Sequence, residues 1–290
     1  MKGLDRYWCI HWGWVGGMRA FDSRACEGLF RYEQGAFCLS NNTILHKLLA
    51  QVWQGLGNNA RARVLKVNKV LPAGLKSAVK DAVQQQKLDD AIQRILASPP
   101  DLIPDDDTLQ QLTTGWGNEG YSAPLRYLRE VARQVLSVNG SVLECGTGVT
   151  TILMGLLGGR RGVTIWSLEQ DATWHARVGD VLRRYHIPGV ELCLAPIKDN
   201  GRFGWYTPPL EKMPKTFDLV ICDGPPQRTT LGGRYGLLPE MKSRLTDGSL
   251  ILMDDAIPQS KTIQRWKEDF GVAVELVDDR EHTFAMIRPQ

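Results

Sequence analysis

"SVLECGTGVTT" (residues 141–151) is the stretch on which the reading of this chain turns. A short apolar run meets Gly146-Thr147-Gly148, and branched apolar residues follow: a strand, a glycine turn, then a helix. Glycines there let a ligand approach the backbone and the first N–H groups of the helix. The dinucleotide-binding pattern wants a third glycine where this chain has Thr151. Glu144, two residues before the first glycine, says more. A carboxylate aimed at this pocket repels a pyrophosphate and favours a cationic ligand.

Outward from the turn, the chain alternates between strand and helix. "YSAPLRYLREVARQVL" is an amphipathic helix, and so is "ATWHARVGDVLRRY". "GVTIWSLEQ", "GVELCLAP", "TFDLVICDG" and "GSLILMDDA" are short, nearly all-apolar strands that end in small or acidic residues. Such strands separated by helices predict an α/β fold, a Rossmann-like parallel sheet covered on both faces. The chain closes with "VAVELVDDREHTFAMIRP", a hairpin, so its last strand runs antiparallel to its neighbour. In a sheet of this kind ligands bind beyond the carboxyl ends of the strands. Glu169, ending the second strand, is placed there to accept from ribose hydroxyls.

In that order, "LECGTG", "SLEQD" and "FDLVICDGPP" resemble the acid-glycine, ribose-acid and fourth-strand motifs of the class I S-adenosylmethionine-dependent methyltransferases. The resemblance covers about residues 115–290. It implies a doubly wound, seven-stranded sheet in the order 3-2-1-4-5-7-6. It also implies a donor site from Glu144, Cys145, Gly146, Thr147, Gly148, Glu169, Gln170 and Asp223, with an adenine pocket at Pro196 and Ile197. S-adenosylmethionine carries an ammonium and a sulfonium, which suits an acidic pocket. The run "DGPP…RYGLLPEM…GSLILMDDA" resembles a bacterial subgroup related to catechol-type O-methyltransferases. That likeness implies a Mg²⁺ held by Asp223, Asp254 and Asp255, with Asp223 and Asp255 taking part in catalysis. The relatives carry a catalytic lysine where this chain has Pro226. Without a metal, Asp223 simply lines the pocket, and one of Asp254 and Asp255 caps the helix that begins near Pro258.

A hydroxyl acceptor has to lose its proton, and His282 is the candidate base, because an antiparallel last strand starts at the ligand edge. His175 and His186 read as surface residues. Trp116, Asn118 and Tyr121 either fold over the donor or pack under a helical cap.

The rest of the chain divides into an extension, residues 1–42, and a helical cap, residues 43–113, before the domain at 114–290. Trp8, Trp12 and Trp14 alternate as a short strand would, or belong to a partner-binding extension. In the cap, the stretch 76–97 places Val79 with Val83, and Leu88 with Ile92, Ile95 and Leu96, at helical spacings. Pro99, Pro100 and Pro104 end it in an acidic linker. This region either packs on the main domain or covers the site as a lid.

Residues 111–290 carry 21 basic and 21 acidic residues, so the net +3 of the chain lies in the first 110. That balance argues against a nucleic-acid partner, as does the lack of an aromatic residue after Asp223-Gly224-Pro225-Pro226. Six cysteines without a CxxC pair read as reduced thiols, Cys145, Cys193 and Cys222 buried in strands. Cys9, His11, Cys26 and Cys38 match no zinc spacing. No apolar run spans a membrane, and the start is a poor signal peptide, so the expected location is cytoplasmic. The expected activity is O-methylation of a small-molecule or saccharide hydroxyl, by a monomer or a homo-oligomer. Two alternatives keep the fold: an aminopropyl transferase, of which "LECGTG" is less typical, and a donor-binding module without catalysis whose first 110 residues mediate assembly.

Overall fold

The apolar runs expected as strands become strands in the computed structural model, which describes residues 9–10, 20–21, 55, 73–118, 123–278 and 282–290. The chain partitions into two compact units, Met1–Ile44 and Leu45–Gln290. In the first, β1 (Cys9–Ile10) pairs antiparallel with β2 (Ala20–Phe21). The expectations for Trp8, Trp12, Trp14, Tyr121 and the Cys9, His11, Cys26 and Cys38 side chains lie outside the described residues.

In the second unit, α1 (Ala73–Ala97) extends the expected helix by one turn, and it stops ahead of the prolines. Its buried stripe is Ala78, Val79, Ala82, Leu88, Ala91, Ile92 and Ile95, with Ala82 rather than Val83 beside Val79. The acids expected to form a linker start the next helix instead. Asp105 accepts from the Thr108 N–H at 2.8 Å, and Asp106 and Asp107 sit in the first turn of α2 (Asp106–Trp116), where negative charge is favourable. α3 (Leu125–Ser137) follows.

The sheet is built from β3 (Val142–Cys145), β4 (Ile165–Glu169) and β5 (Val190–Leu194), then β8 (Phe217–Cys222), β9 (Leu245–Met253), β10 (Ala273–Asp278) and β11 (Thr283–Arg288). Between β5 and β8 lies a small separate hairpin, β6 (Ile197–Asp199) and β7 (Gly204–Tyr206). The order across the large sheet is β10-β11-β9-β8-β3-β4-β5, and β11 alone runs against its neighbours. Counted along the sheet's own strands this is 3-2-1-4-5-7-6, the expected Rossmann-like architecture. Its reversal point falls at β3, where the glycine turn emerges.

Both faces are covered. On one, α1, α2 and α3 share a continuous apolar cluster with α4 (Val149–Leu157) and α5 (Ala172–Arg184), so the described helices before the sheet are packed against it. On the other face, Trp205 and Tyr206 of the hairpin pack with α6 (Leu237–Met241) and with Trp266 of α7 (Ser260–Phe270). Trp116 belongs to the first cluster and meets Trp174 edge-on at 5.3 Å, with the Arg177 guanidinium 4.3 Å over its ring. Cys145 and Cys222 are buried free thiols; Cys193 is only half-buried. Among the described residues, no helix is long and apolar enough to cross a membrane.

Candidate active site

β3 and β8 lie side by side in parallel register, Cys145 opposite Cys222. The chain after β8 therefore crosses directly under the glycine turn. The Cys145 carbonyl accepts from the N–H of Asp223 at 3.0 Å and of Gly224 at 2.6 Å, so it is spent on the fold. Gly146 has φ +85°, and a Cβ there would lie 2.9 Å from the Gly224 nitrogen. Only glycine combines that left-handed backbone with that close approach. A Cβ on Gly148 would meet nothing within 4 Å, so the second glycine faces open space at the start of α4.

Glu144 does not point into that space. Successive strand residues face opposite sides of a sheet, and Glu144 faces α4. It is fully buried, accepting from Thr150 Oγ1 at 2.6 Å and Thr151 Oγ1 at 2.7 Å. Thr151 Oγ1 in turn accepts from the Gly148 N–H at 2.9 Å. The expected direct attraction for a cationic ligand is thus replaced by a structural role: Glu144 closes the first turn of α4. Burial pushes its carboxyl up to about 7, against the hydrogen bonds of Thr150 and Thr151.

Glu169 ends β4 beside the turn, 2% exposed. One oxygen accepts from the Thr147 N–H and hydroxyl at 3.2 and 2.7 Å, the other from the Asp171 N–H at 2.8 Å. It clamps the turn and keeps part of its acceptor capacity. Next to it the Gln170 side-chain oxygen is buried with no hydrogen-bond partner. Pro196 is exposed, its carbonyl tied to Thr207, and Ile197 opens β6 half-buried.

Sequence reasoning missed Tyr206. Its hydroxyl lies over Gly224, so that a Cβ on Gly224 would strike it and would also come within 3.0 Å of the Gly146 Cα. That hydroxyl is buried and has no hydrogen-bond partner. Burial, then Cys145, Glu169, Cys222 and Asp223 around it, push its phenol well above the usual range. An aromatic pair ending a short strand reads as core, and half of it is: Trp205 meets Tyr206 edge-on at 5.1 Å.

The acids after β8 and β9 do converge. Asp254 is buried and Asp255 about half-exposed, and Asp255 sits at φ +51°, a left-handed backbone that only a few non-glycine residues such as Asp tolerate. Neither side chain caps the following helix, whose N-cap is Gln259 and has no side-chain cap bond. His282, just before β11, brings Nε2 to 2.9 Å from Asp254 Oδ1 and 3.5 Å from Asp255 Oδ1. The closer approach is off the line of a hydrogen bond. These three residues offer ligand atoms within 4.8 Å of one another.

Asp223 has a different partner. Arg234, buried in the turn before α6, donates to Asp223 Oδ1 at 2.8 Å and to the carbonyls of Cys222 at 3.1 Å and Asp254 at 2.6 Å. It lies 3.9 Å from Asp255 Oδ2. The Asp223 side chain keeps 42% of its surface, yet lack of solvation in the crowded cleft outweighs Arg234 and pushes the carboxyl up to about 6. Arg234 had no distinguishing mark in the sequence, since nothing in "GGRYG" separates a buried arginine from a solvated one. His175 is half-buried, 3.4 Å from the Leu192 carbonyl; His186 is exposed.

The architecture and the edge cluster define an α/β protein with a Rossmann-like seven-stranded sheet and a cluster of polar side chains at its reversal point. No protein-family model and no curated protein matches the sequence. Among solved structures, the chain is similar to an SAH-bound methyltransferase, PaMTH1 of Podospora anserina, at 13% identity. That match covers 81% of this chain and 97% of the other, with a TM-score of 0.48. A precorrin-6Y C5,15-methyltransferase of Geobacter metallireducens matches at 13% identity over 59% and 90% of the two chains, TM-score 0.45. The methyltransferase domain of METTL16 matches at 13% identity over 73% and 92%, TM-score 0.41.

Proposed function

We propose that the protein is an S-adenosylmethionine-dependent methyltransferase that modifies a hydroxyl of a small molecule or saccharide. The observation that carries the reading is the convergence at one sheet edge of an open glycine turn, Glu169, two buried polar atoms without partners (Tyr206 hydroxyl, Gln170 oxygen) and the Asp254–His282 pair. A nucleoside donor fits these residues. Glu169 and Gln170 supply acceptors for ribose hydroxyls, the Tyr206 hydroxyl supplies a donor, and Gly148 leaves room at the helix start. S-adenosylmethionine, when bound, supplies an already activated methyl group.

The chain's own residues then align two reactants and take up one proton. Asp223 and Gly224 form the floor between the glycine turn and the acidic cluster. His282 is the base for the acceptor hydroxyl, and the charge of the Asp254 carboxylate, whose Oδ1 lies 2.9 Å from Nε2, stabilises the imidazolium. For the Mg²⁺ expected on Asp223, Asp254 and Asp255, Arg234 is a competitor, since its guanidinium already holds Asp223 Oδ1 at 2.8 Å.

Calorimetric titration with S-adenosylmethionine and S-adenosylhomocysteine tests the reading, on wild type and on Glu169→Ala. Micromolar affinity that is lost in the folded variant supports it. Absence of binding by folded wild type overturns it. With binding in hand, a panel of hydroxylated acceptors read by mass spectrometry separates a methyltransferase from a donor-binding module.

A further inference from the structure

We propose that Arg234 is the resident cation of the acidic cluster, its fixed charge taking the electrostatic role that a divalent metal would have and making the site independent of added metal. Four facts converge. The guanidinium is held at 6% side-chain exposure between the carbonyls that end β8 and follow β9. It donates to Asp223 and lies 3.9 Å from Asp255, so one fixed positive charge serves the acids that follow two neighbouring strands. Its place is determined by the fold: the Tyr235 carbonyl accepts from Trp266 Nε1 at 2.9 Å, the Tyr235 hydroxyl donates to Asp269 at 2.6 Å, and Arg265 stacks 3.6 Å over the Tyr235 ring. Its Nε, also buried, makes no hydrogen bond among the described residues.

Electrostatics gives the consequence. A divalent ion that used Asp223 would have to share the carboxylate with a guanidinium that already holds Oδ1 and is itself hydrogen-bonded three times. An ion on Asp254, Asp255 and His282 would sit within a few ångströms of the same positive charge, which disfavours it. Arginine is never deprotonated in this setting, so the charge is permanent, unlike that of an exchangeable metal. Arg234 acts through Asp223, as a positioning residue. It fixes the carboxylate beside the glycine turn and limits the net negative charge facing the ligands.

The test reads metal binding directly, and so does not depend on the proposed methyl transfer. Mn²⁺ is titrated by electron paramagnetic resonance into wild type, Arg234→Gln, Arg234→Lys and the double variant Arg234→Gln/Asp223→Asn. Wild type and Arg234→Lys are expected to show no site tighter than millimolar. Arg234→Gln is expected to gain affinity by about a hundredfold, the size that follows from removing a unit charge a few ångströms from a divalent ion in a partly solvated site. The double variant is expected to lose that gain. A micromolar Mn²⁺ site in wild type that disappears in His282→Ala overturns the proposal in favour of a metal on Asp254, Asp255 and His282. A folded Arg234→Gln with no gain overturns it as well. Should Arg234→Gln fail to fold, the wild-type and Arg234→Lys titrations decide: a site in wild type refutes the proposal, and its absence from both supports it.

Discussion

Glu144 shows how a residue can be located correctly in the sequence and still be misread. Its place before the turn follows from the strand, but which side of the sheet it faces follows from a period of two, and the far side is α4. The consequence is a pH dependence. Its folded value, about 7, stands above the ordinary 4.5. The protonated form is thus favoured by folding, and this stability is fully present below about pH 4.5 and lost as pH rises through 7. The loss is at most about 3.5 kcal/mol, at about 1.4 kcal/mol per unit. Asp223, raised to about 6, adds a loss of the same sign. Glu144→Gln is expected to leave stability unchanged near about pH 5 and to raise it near about pH 8, where the buried charge is removed. Urea unfolding at both values checks this; equal stability of variant and wild type at the higher pH would mean that the carboxyl stays neutral there or is well solvated.

At the scale of elements, the hairpin β6–β7 flanks the glycine turn, delivering the Tyr206 hydroxyl over Gly224. Tyr206→Phe removes one hydroxyl and no packing, so donor affinity should fall about three- to tenfold, the size of one neutral hydrogen bond. The thermal stability of the ligand-free protein should be unchanged or raised, because the hydroxyl is buried without a partner. Titration calorimetry beside thermal unfolding reads both; unaltered affinity would place the hydroxyl outside the ligand's reach. The crossing of α1 and α2 rests on Gly115, where a Cβ would lie 2.6 Å from the Leu88 Cα. Alanine improves helix propensity by about 1 kcal/mol, but it would meet backbone that cannot rotate away. Gly115→Ala is therefore expected to destabilise by about 1–3 kcal/mol, measured by chemical unfolding; a stabilised variant would show that the helices can separate freely.

At the scale of the whole second unit, the sheet separates two apolar clusters, one under α1–α5 and one under the hairpin, α6 and α7. Leu112→Ala in the first and Leu238→Ala in the second, both fully buried, should each cost about 2–5 kcal/mol. Their effects should add within about 0.5 kcal/mol, since no side chain is shared. Unfolding of both single variants and the double variant tests it, and strong non-additivity would mean that the clusters act as one. The alternation of strand and helix, the antiparallel last strand and the edge at which the acids gather were legible in the sequence, because apolar periodicity and chain alternation are local properties that a parallel sheet obeys residue by residue; the strand order 3-2-1-4-5-7-6 was implied only by the family resemblance. Local pattern likewise predicted that α1 would stop before Pro99. The partners of charged side chains were not legible. Whether Asp223 meets a metal or a guanidinium depends on Arg234, and Arg234 reaches it only because α7 fixes the segment around Tyr235. The sequence by itself therefore determined the architecture and the position of the cleft. Only the tertiary structure decided which side chains face it, since desolvation and charge pairing arise between residues far apart in the chain.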